Sequence, residues 1–229
     1  MLSNLVFLLQ EGKFCVSYQQ MGELARHVYL VQKTRSGEGE QVLKVLSSNE
    51  ARMFRIVQGT PGVVAGRLVT FRNRSALLMP FGQSLVNFVG KLSHNERLRM
   101  GRQCAHALHG IHARGVLHND LKPDNILVVE NKTPVIIDFG SASLVETKTW
   151  RFQGTYMFCY RPHDLRSKEQ DLHSLCLTFV WLSQPWKSQC DMPSWNSIRN
   201  DAVVRGIVTA YESSKPRKNN ARREFQEYS

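Results

Sequence analysis

The stretch "HNDLKPDNILVVENKTPVIIDFG", residues 118–140, gathers two acids, a lysine and an amide around two short apolar runs. Asp120, Lys122 and Asn125 precede "ILVV", and Asp138 closes "PVIID". Both runs read as strands joined by the turn "ENKT", and Pro134 is tolerated at a strand start. Pairing the strands brings the residues before the first close to the residues after the second, so Asp120, Asn125 and Asp138 converge. A carboxylate and an amide oxygen that converge form a hard-cation site, suited to Mg²⁺ that keeps waters and takes phosphate oxygens. Lys122 adds a positive charge for a transferring phosphoryl group. Asp120 is placed to orient an attacking hydroxyl and accept its proton. Phosphoryl transfer needs this set, because the reaction is mostly positioning and charge neutralisation.

The elements that must position these groups are legible in the apolar spacing. "FCVSYQ", "HVYLVQK" and "EQVLKVL" read as strands, with "TRSGEGE" a hairpin connection between the last two. In "SSNEARMFRIVQG", Ser47 followed by Glu50 is a capping-box signature, and Met53, Phe54 and Val57 give helical spacing. Gly59 and Pro61 end that helix, and "GVVAGRLVTF" and "SALLMPF" read as two further strands. From about Ser93 the pattern turns helical, with Leu98, Cys104 or Ala105, Leu108 and Ile111 on one stripe and Gly115 as the stop. A polar segment from Ser141 to about Lys168 leads to an apolar helix, "DLHSLCLTFVWLS", and a second helix covers "SWNSIRNDAVVRGIVTAYE". The expected class is α+β: a β-rich lobe over 1–82, an α-rich lobe over 83–212, and a basic polar tail over 213–229.

Bulk properties bound the partners. A chain of 229 residues, 42% hydrophobic and 21% charged, is one generous domain or two lobes sharing a cleft. The early apolar run Leu5 to Leu9 is too short to span a bilayer and lacks the marks of a signal peptide, so no membrane association is expected. Five cysteines without a C-x-x-C pair argue against a disulfide framework or a structural zinc, and for an intracellular compartment, cytoplasm or nucleus. The net charge of +11 favours acidic partners. Part of it lies in "KPRKNNARR", which reads as a solvated, nuclear-targeting segment rather than a nucleic-acid site.

"HNDLKPDN" followed by "DFG" resembles the catalytic and metal-binding loops of the eukaryotic-type protein kinases, and "LKPDN" is similar to the serine/threonine form. The resemblance runs from about residue 14 to residue 186. It implies a bilobal kinase fold, ATP and Mg²⁺ as cofactors, and a protein substrate. Asp120 and Lys122 would be catalytic, with Asn125 and Asp138 as metal ligands. Lys44, ending "VLK", resembles the lysine that holds the α- and β-phosphates, and Glu50 resembles its glutamate partner. Capping could account for Glu50 equally well. Gly22 and Val28 would lie against the nucleotide, Met79 resembles a gatekeeper, and Pro80 and Gly82 offer a carbonyl and an N–H to the adenine. Thr155 in "GT" resembles the loop supporting a peptide substrate. Asp171 resembles the aspartate that braces the catalytic loop, and it also works as a plain helix N-cap. The "QPW" at Gln184 to Trp186 is similar to casein-kinase-like enzymes, and the short Lys44–Glu50 interval is similar to compact viral kinases such as those of herpesviruses.

Four departures qualify this resemblance. Where three glycines are expected, "QQMGELARHVYLV" offers only Gly22, displaced by one position. Asn119 stands where the family has an arginine that binds a phosphate on the activation loop, which implies regulation without loop phosphorylation. His163 replaces a glutamate that forms a buried ion pair, and the chain after Trp186 is short. The alternative expectation is a pseudokinase, a nucleotide-binding or scaffold module. A small-molecule phosphotransferase shares part of the pattern but not "LKP" and "DFG".

Overall fold

The computed structural model describes residues 6–11, 14–34, 39–147, 154–159 and 166–214. Six antiparallel strands form the first half: Val6–Glu11 (β1), Phe14–Ala25 (β2), Val28–Lys33 (β3), Gln41–Val45 (β4), Arg67–Phe71 (β5) and Arg74–Pro80 (β6). They close into a barrel in the order β1-β2-β3-β4-β6-β5, sealed where Gln10 pairs with Thr70. Alternation along each strand divides the side chains between two cores. Leu43 of β4 and Ala76 and Leu78 of β6 point into the barrel with Leu9, Tyr18 and Val31. Val42, Leu77 and Met79 point the other way, into the core shared with the helices. Lys44 pairs with Leu77 and Val42 with Met79, so the lysine emerges on the helix-facing side of the sheet.

The helix Ser48–Val57 (α1) packs on that side through Glu50, Ala51, Met53, Phe54 and Val57, an amphipathic stripe. Its N-cap Ser47 accepts the Glu50 N–H at 3.1 Å. The run "GVVAG" is not a strand, contrary to its composition. Gly62 and Val64 instead bond the N–H and C=O of Ile136, with Ile136 N–H to Gly62 O at 2.8 Å and Val64 N–H to Ile136 O at 3.1 Å.

Beyond the connector at Phe81–Gly82 come Gln83–Ser84 (β7), the helix His94–Ala113 (α2), Val116–Leu117 (β8), Ile126–Val129 (β9), Thr133–Ile136 (β10) and Ser143–Leu144 (β11). α2 opens with a complete capping box between Ser93 and Glu96 and closes at Gly115, whose φ is 76°. β9 and β10 pair antiparallel, Ile126 with Ile136 and Val129 with Thr133, and a short 3₁₀ turn over Glu130–Lys132 joins them. The helix Lys168–Trp181 (α3) is buried on most sides at the centre of this half, as its continuous apolar run requires. The single helix expected after Ser194 is broken. Trp195–Ile198 (α4) ends, and Asp201 caps a new helix, Ala202–Ser213 (α5), through the N–H groups of Val203 and Val204. A capping aspartate inside an apolar pattern restarts the backbone there.

Candidate active site

β4 and α1 build the upper wall of the site. Lys44 Nζ lies 2.7 Å from Glu50 Oε1 and 2.9 Å from Asp138 Oδ1, so one ammonium joins the sheet, the helix and the segment after β10. The Glu50 carboxylate therefore serves Lys44 while its own N–H is capped by Ser47. Burial opposes the Lys44 charge, but the carboxylates of Asp138 and Glu50 outweigh it and hold its pKa above the usual value. Burial also pushes the Asp138 carboxyl up, yet Lys44 and the Gly140 N–H prevail and hold it below the ordinary carboxylate range. For Glu50 burial wins over Lys44, and its pKa is raised. Asp138 adopts φ 63° and its Oδ1 accepts the Gly140 N–H at 3.1 Å, a local bond that helps aspartate tolerate the left-handed region.

The lower wall is the loop between β8 and β9. Asn125, 5% exposed, donates Nδ2 to the Asp120 carbonyl at 2.8 Å and to Asp120 Oδ2 at 3.0 Å. With its amide nitrogen so engaged, the Asn125 oxygen is the atom left for a cation. Ile137 N–H donates to the Asn125 carbonyl at 3.0 Å, which ties this asparagine to the residue before Asp138. Among the described residues no three His, Cys, Asp or Glu side chains form a metal cluster. A cation between Asn125 and Asp138 would therefore complete its shell with phosphate and water oxygens, as Mg²⁺ does. Thr155 Oγ1 donates to Asp120 Oδ1 at 2.9 Å and accepts from Lys122 Nζ at 2.8 Å, while Lys122 lies 3.1 Å from Asp120 Oδ2. A carboxylate, an ammonium and a hydroxyl thus converge where a substrate hydroxyl would meet a phosphoryl group.

The family description "Protein kinase domain" matches residues 8–227 of this sequence. The chain belongs to the protein kinase family. CBL-interacting protein kinase 14 of Oryza sativa subsp. japonica is 34% identical over 118 residues, 48% of this chain and 27% of that protein. Serine/threonine-protein kinase AfsK of Streptomyces griseus is 34% identical over 155 residues, 62% of this chain and 19% of that protein. The chain thus spans less than a third of the length of these relatives. The solved structure of the Cydia pomonella granulovirus kinase PK-1 aligns with a TM-score of 0.63 at 20% identity, covering 72% of this chain and 67% of that one, a likeness of fold.

This kinase fold also places the other expected positions. Val28 pairs with Lys44 across β3 and β4, and Met79 lines the pocket around Lys44 with Leu77, Val64 and Phe139. Pro80 ends β6 opposite Gln41, and Gly82 lies against Leu127, Val128 and Val129, where a Cβ would come within 3.1 Å of Val129. Gly22 is different. It sits inside β2 opposite Leu30, a Cβ there would meet nothing within 4 Å, and the hairpin closes at Arg26–His27 with His27 at φ 64°. The strand-rich "YQQMGELA" carries β2 on to Ala25, so Gly22 lies within the strand and not in the turn of the hairpin.

Asp171 is the brace, not the N-cap. Ser167 caps α3, while Asp171 Oδ2 accepts the His118 N–H at 2.7 Å and Oδ1 the Asn119 N–H at 2.8 Å. His118 Nε2 lies 2.9 Å from the Ile137 carbonyl, which links the same loop to Asp138. Three positioning groups are not marked by the sequence pattern: Asn49, Ser143 and Tyr211. Their partners lie far away along the chain, and only the placing of Asn49 beside Glu50 offered a signal. His163 lies outside the described residues, as does the tail from residue 215.

Proposed function

We propose that the chain is a serine/threonine protein kinase that transfers the γ-phosphate of Mg-ATP to a protein hydroxyl, and that it needs no phosphate on its own loop. The reading rests on one arrangement: Lys44 bonded to both Glu50 and Asp138 above, facing Asp120, Thr155 and Lys122 below. Asp120 takes the proton of the attacking hydroxyl as the hydroxyl oxygen bonds the γ-phosphorus, the bond from that phosphorus to the β–γ bridging oxygen breaks and ADP leaves, and Lys122 balances charge on the transferring group. Lys44 anchors the α- and β-phosphates. Mg²⁺ held by Asn125 and Asp138 would neutralise the phosphate oxygens. Val28, Met79, Pro80 and Gly82 line the adenine side. Five cysteines without a C-x-x-C pair in the sequence fit a reducing cell interior. The net charge of +11 favours acidic acceptors.

A second reading, nucleotide binding without transfer, draws on the hairpin closed at Arg26–His27 in place of a glycine loop. Radiolabelled transfer from Mg-ATP to casein and to a basic protein separates the two. Wild type should label casein preferentially, and Asp120→Ala and Asp138→Asn should each lose about 10²–10⁴-fold of the signal. Folded, nucleotide-binding wild type that labels no more than these variants would establish the second reading. Equal labelling of both acceptors would remove the acidic preference alone.

A further inference from the structure

The three residues after the metal-loop phenylalanine are held from two sides by amides. Asn49 Nδ2, on the first turn of α1, donates to Ala142 O at 3.0 Å and to Gly140 O at 3.4 Å. Asn119 Nδ2, from the loop after β8, donates to the intervening carbonyl, Ser141 O, at 2.9 Å and to Ser143 Oγ at 3.0 Å. Gly140 and Ser141 form a turn closed by the Ala142 N–H to Phe139 O bond at 3.1 Å, and it turns successive carbonyls to different sides. One asparagine takes the carbonyls of Gly140 and Ala142, and the other takes that of Ser141 between them. The next residues are fixed by backbone: Ser143 pairs with Leu117, Leu144 with Val116, and Val145 N–H bonds Gly115 O at 2.8 Å.

Asn119 can serve this way because its φ is 65°, a conformation asparagine adopts more readily than most residues, and because its own N–H is bonded by Asp171. Asn49 precedes Glu50 on the helix, so the same turn of α1 that supplies the Lys44 partner also grips the segment leaving Asp138. Moving Asp138 away from Lys44 would require both amides to let go.

We propose that Asn49 and Asn119 are positioning residues that clamp Gly140–Ser143 and thereby hold Asp138 in the transfer-competent place without a phosphate on the segment. The proposal deepens the kinase reading and rests on it. It puts an amide clamp where the family pattern puts an arginine and a phosphate.

The test uses the full chain as wild type, Asn49→Ala, Asn119→Gly and Asn119→Asp. Glycine keeps the left-handed backbone and removes the amide, and aspartate keeps the shape but faces Ser141 O with an acceptor. Amide hydrogen exchange over 140–147 should quicken about 3–10-fold in each variant, the worth of one or two neutral hydrogen bonds, with exchange in α2 unchanged. Transfer kinetics should show kcat falling by a similar factor with KM for ATP within about two-fold, the pattern of a lost transition-state arrangement. Phosphatase treatment of wild type should leave its rate unchanged. Exchange over 140–147 that matches wild type in all three variants would overturn the clamp, as would wild-type activity abolished by phosphatase. The exchange arm does not depend on turnover. An inactive wild type whose segment still loosens in the variants would refute the kinase reading and keep the clamp.

Discussion

Asp171 acts on the candidate site through the loop that it holds. Buried at 2% exposure, it accepts from the His118 and Asn119 N–H groups and lies 2.9 Å from His112 Nε2. Burial pushes its pKa up, but the bond and charge of His112, with the His118 N–H, outweigh it and place the folded value below the 3.8 of a free aspartate. Linkage sets the sign. Above 3.8 the carboxylate is ionised whether folded or unfolded, and its stabilisation is complete. As pH falls below that point the unfolded chain binds a proton first, so stability drops, and the contribution is gone below the folded pKa. The Tm of wild type should therefore fall steeply below about pH 4, while Asp171→Asn should start lower and lose less over the same interval. Parallel acid limbs in melting curves of the two proteins would remove Asp171 as the source. Glu50 contributes with the opposite sign, because its raised pKa makes the ionised form the costly one in the fold.

α2 and α5 show how an element can reach the site without touching it. α5 packs along α2 through Val203, Val204, Ile207 and Tyr211, and its Gly206 faces Leu98 and Arg102. Tyr211 Oη lies 2.6 Å from His112 Nδ1, and His112 Nε2 meets Asp171, so a side-chain relay runs from α5 to the loop between β8 and β9. Burial, with Glu169 and Asp171 nearby, pushes the Tyr211 pKa up to about 12, which keeps the phenol protonated and able to donate. Tyr211→Phe leaves the buried His112 Nδ1 without its hydroxyl partner, a cost of about 1–3 kcal/mol. Urea denaturation should show that loss with the slope m unchanged. A variant as stable as wild type would mean that the hydroxyl contributes nothing net. Local features of this kind were legible unevenly. The β9–turn–β10 unit, the Ser47 cap and the stripe of α2 lie within a few residues of their partners, and their spacing alone marked them. The Asn49 clamp joins residues 93 positions apart and the Tyr211 relay residues 99 apart, distances at which no periodicity operates. The break at Asp201 was legible in principle, since an aspartate before an apolar run is a cap signal. The extent of β2 was less legible: the strand runs through Gly22 to Ala25, and the turn falls at Arg26–His27, where no glycine marks it.

At the scale of the whole molecule, two of the links between the halves are made by the backbone and differ in kind. One is the connector at Phe81–Gly82. The other is the strap from Gly62 to Val64, which bonds Ile136 on β10, two residues before Asp138. Gly62 makes the strap possible: its φ is 80°, and a Cβ there would stand 2.5 Å from Ala107 Cβ on α2. Two penalties would then add in Gly62→Ala. The left-handed backbone costs a non-glycine residue about 1–2 kcal/mol, and crowding a packed core costs about 1–3 kcal/mol more. Gly59 supplies the control, because its φ is 79° but a Cβ there would meet nothing within 4 Å. Gly59→Ala should therefore lose only the backbone part. In urea denaturation Gly62→Ala should fall about 1–3 kcal/mol below Gly59→Ala, the crowding term isolated by difference. Since the strap bonds the strand that delivers Asp138, the same variant should lose transfer rate at temperatures where it is still folded, and Gly59→Ala should not. Equal stability loss in the two variants would show that α2 yields to the added methyl, and that the backbone conformation at Gly62 is its whole contribution.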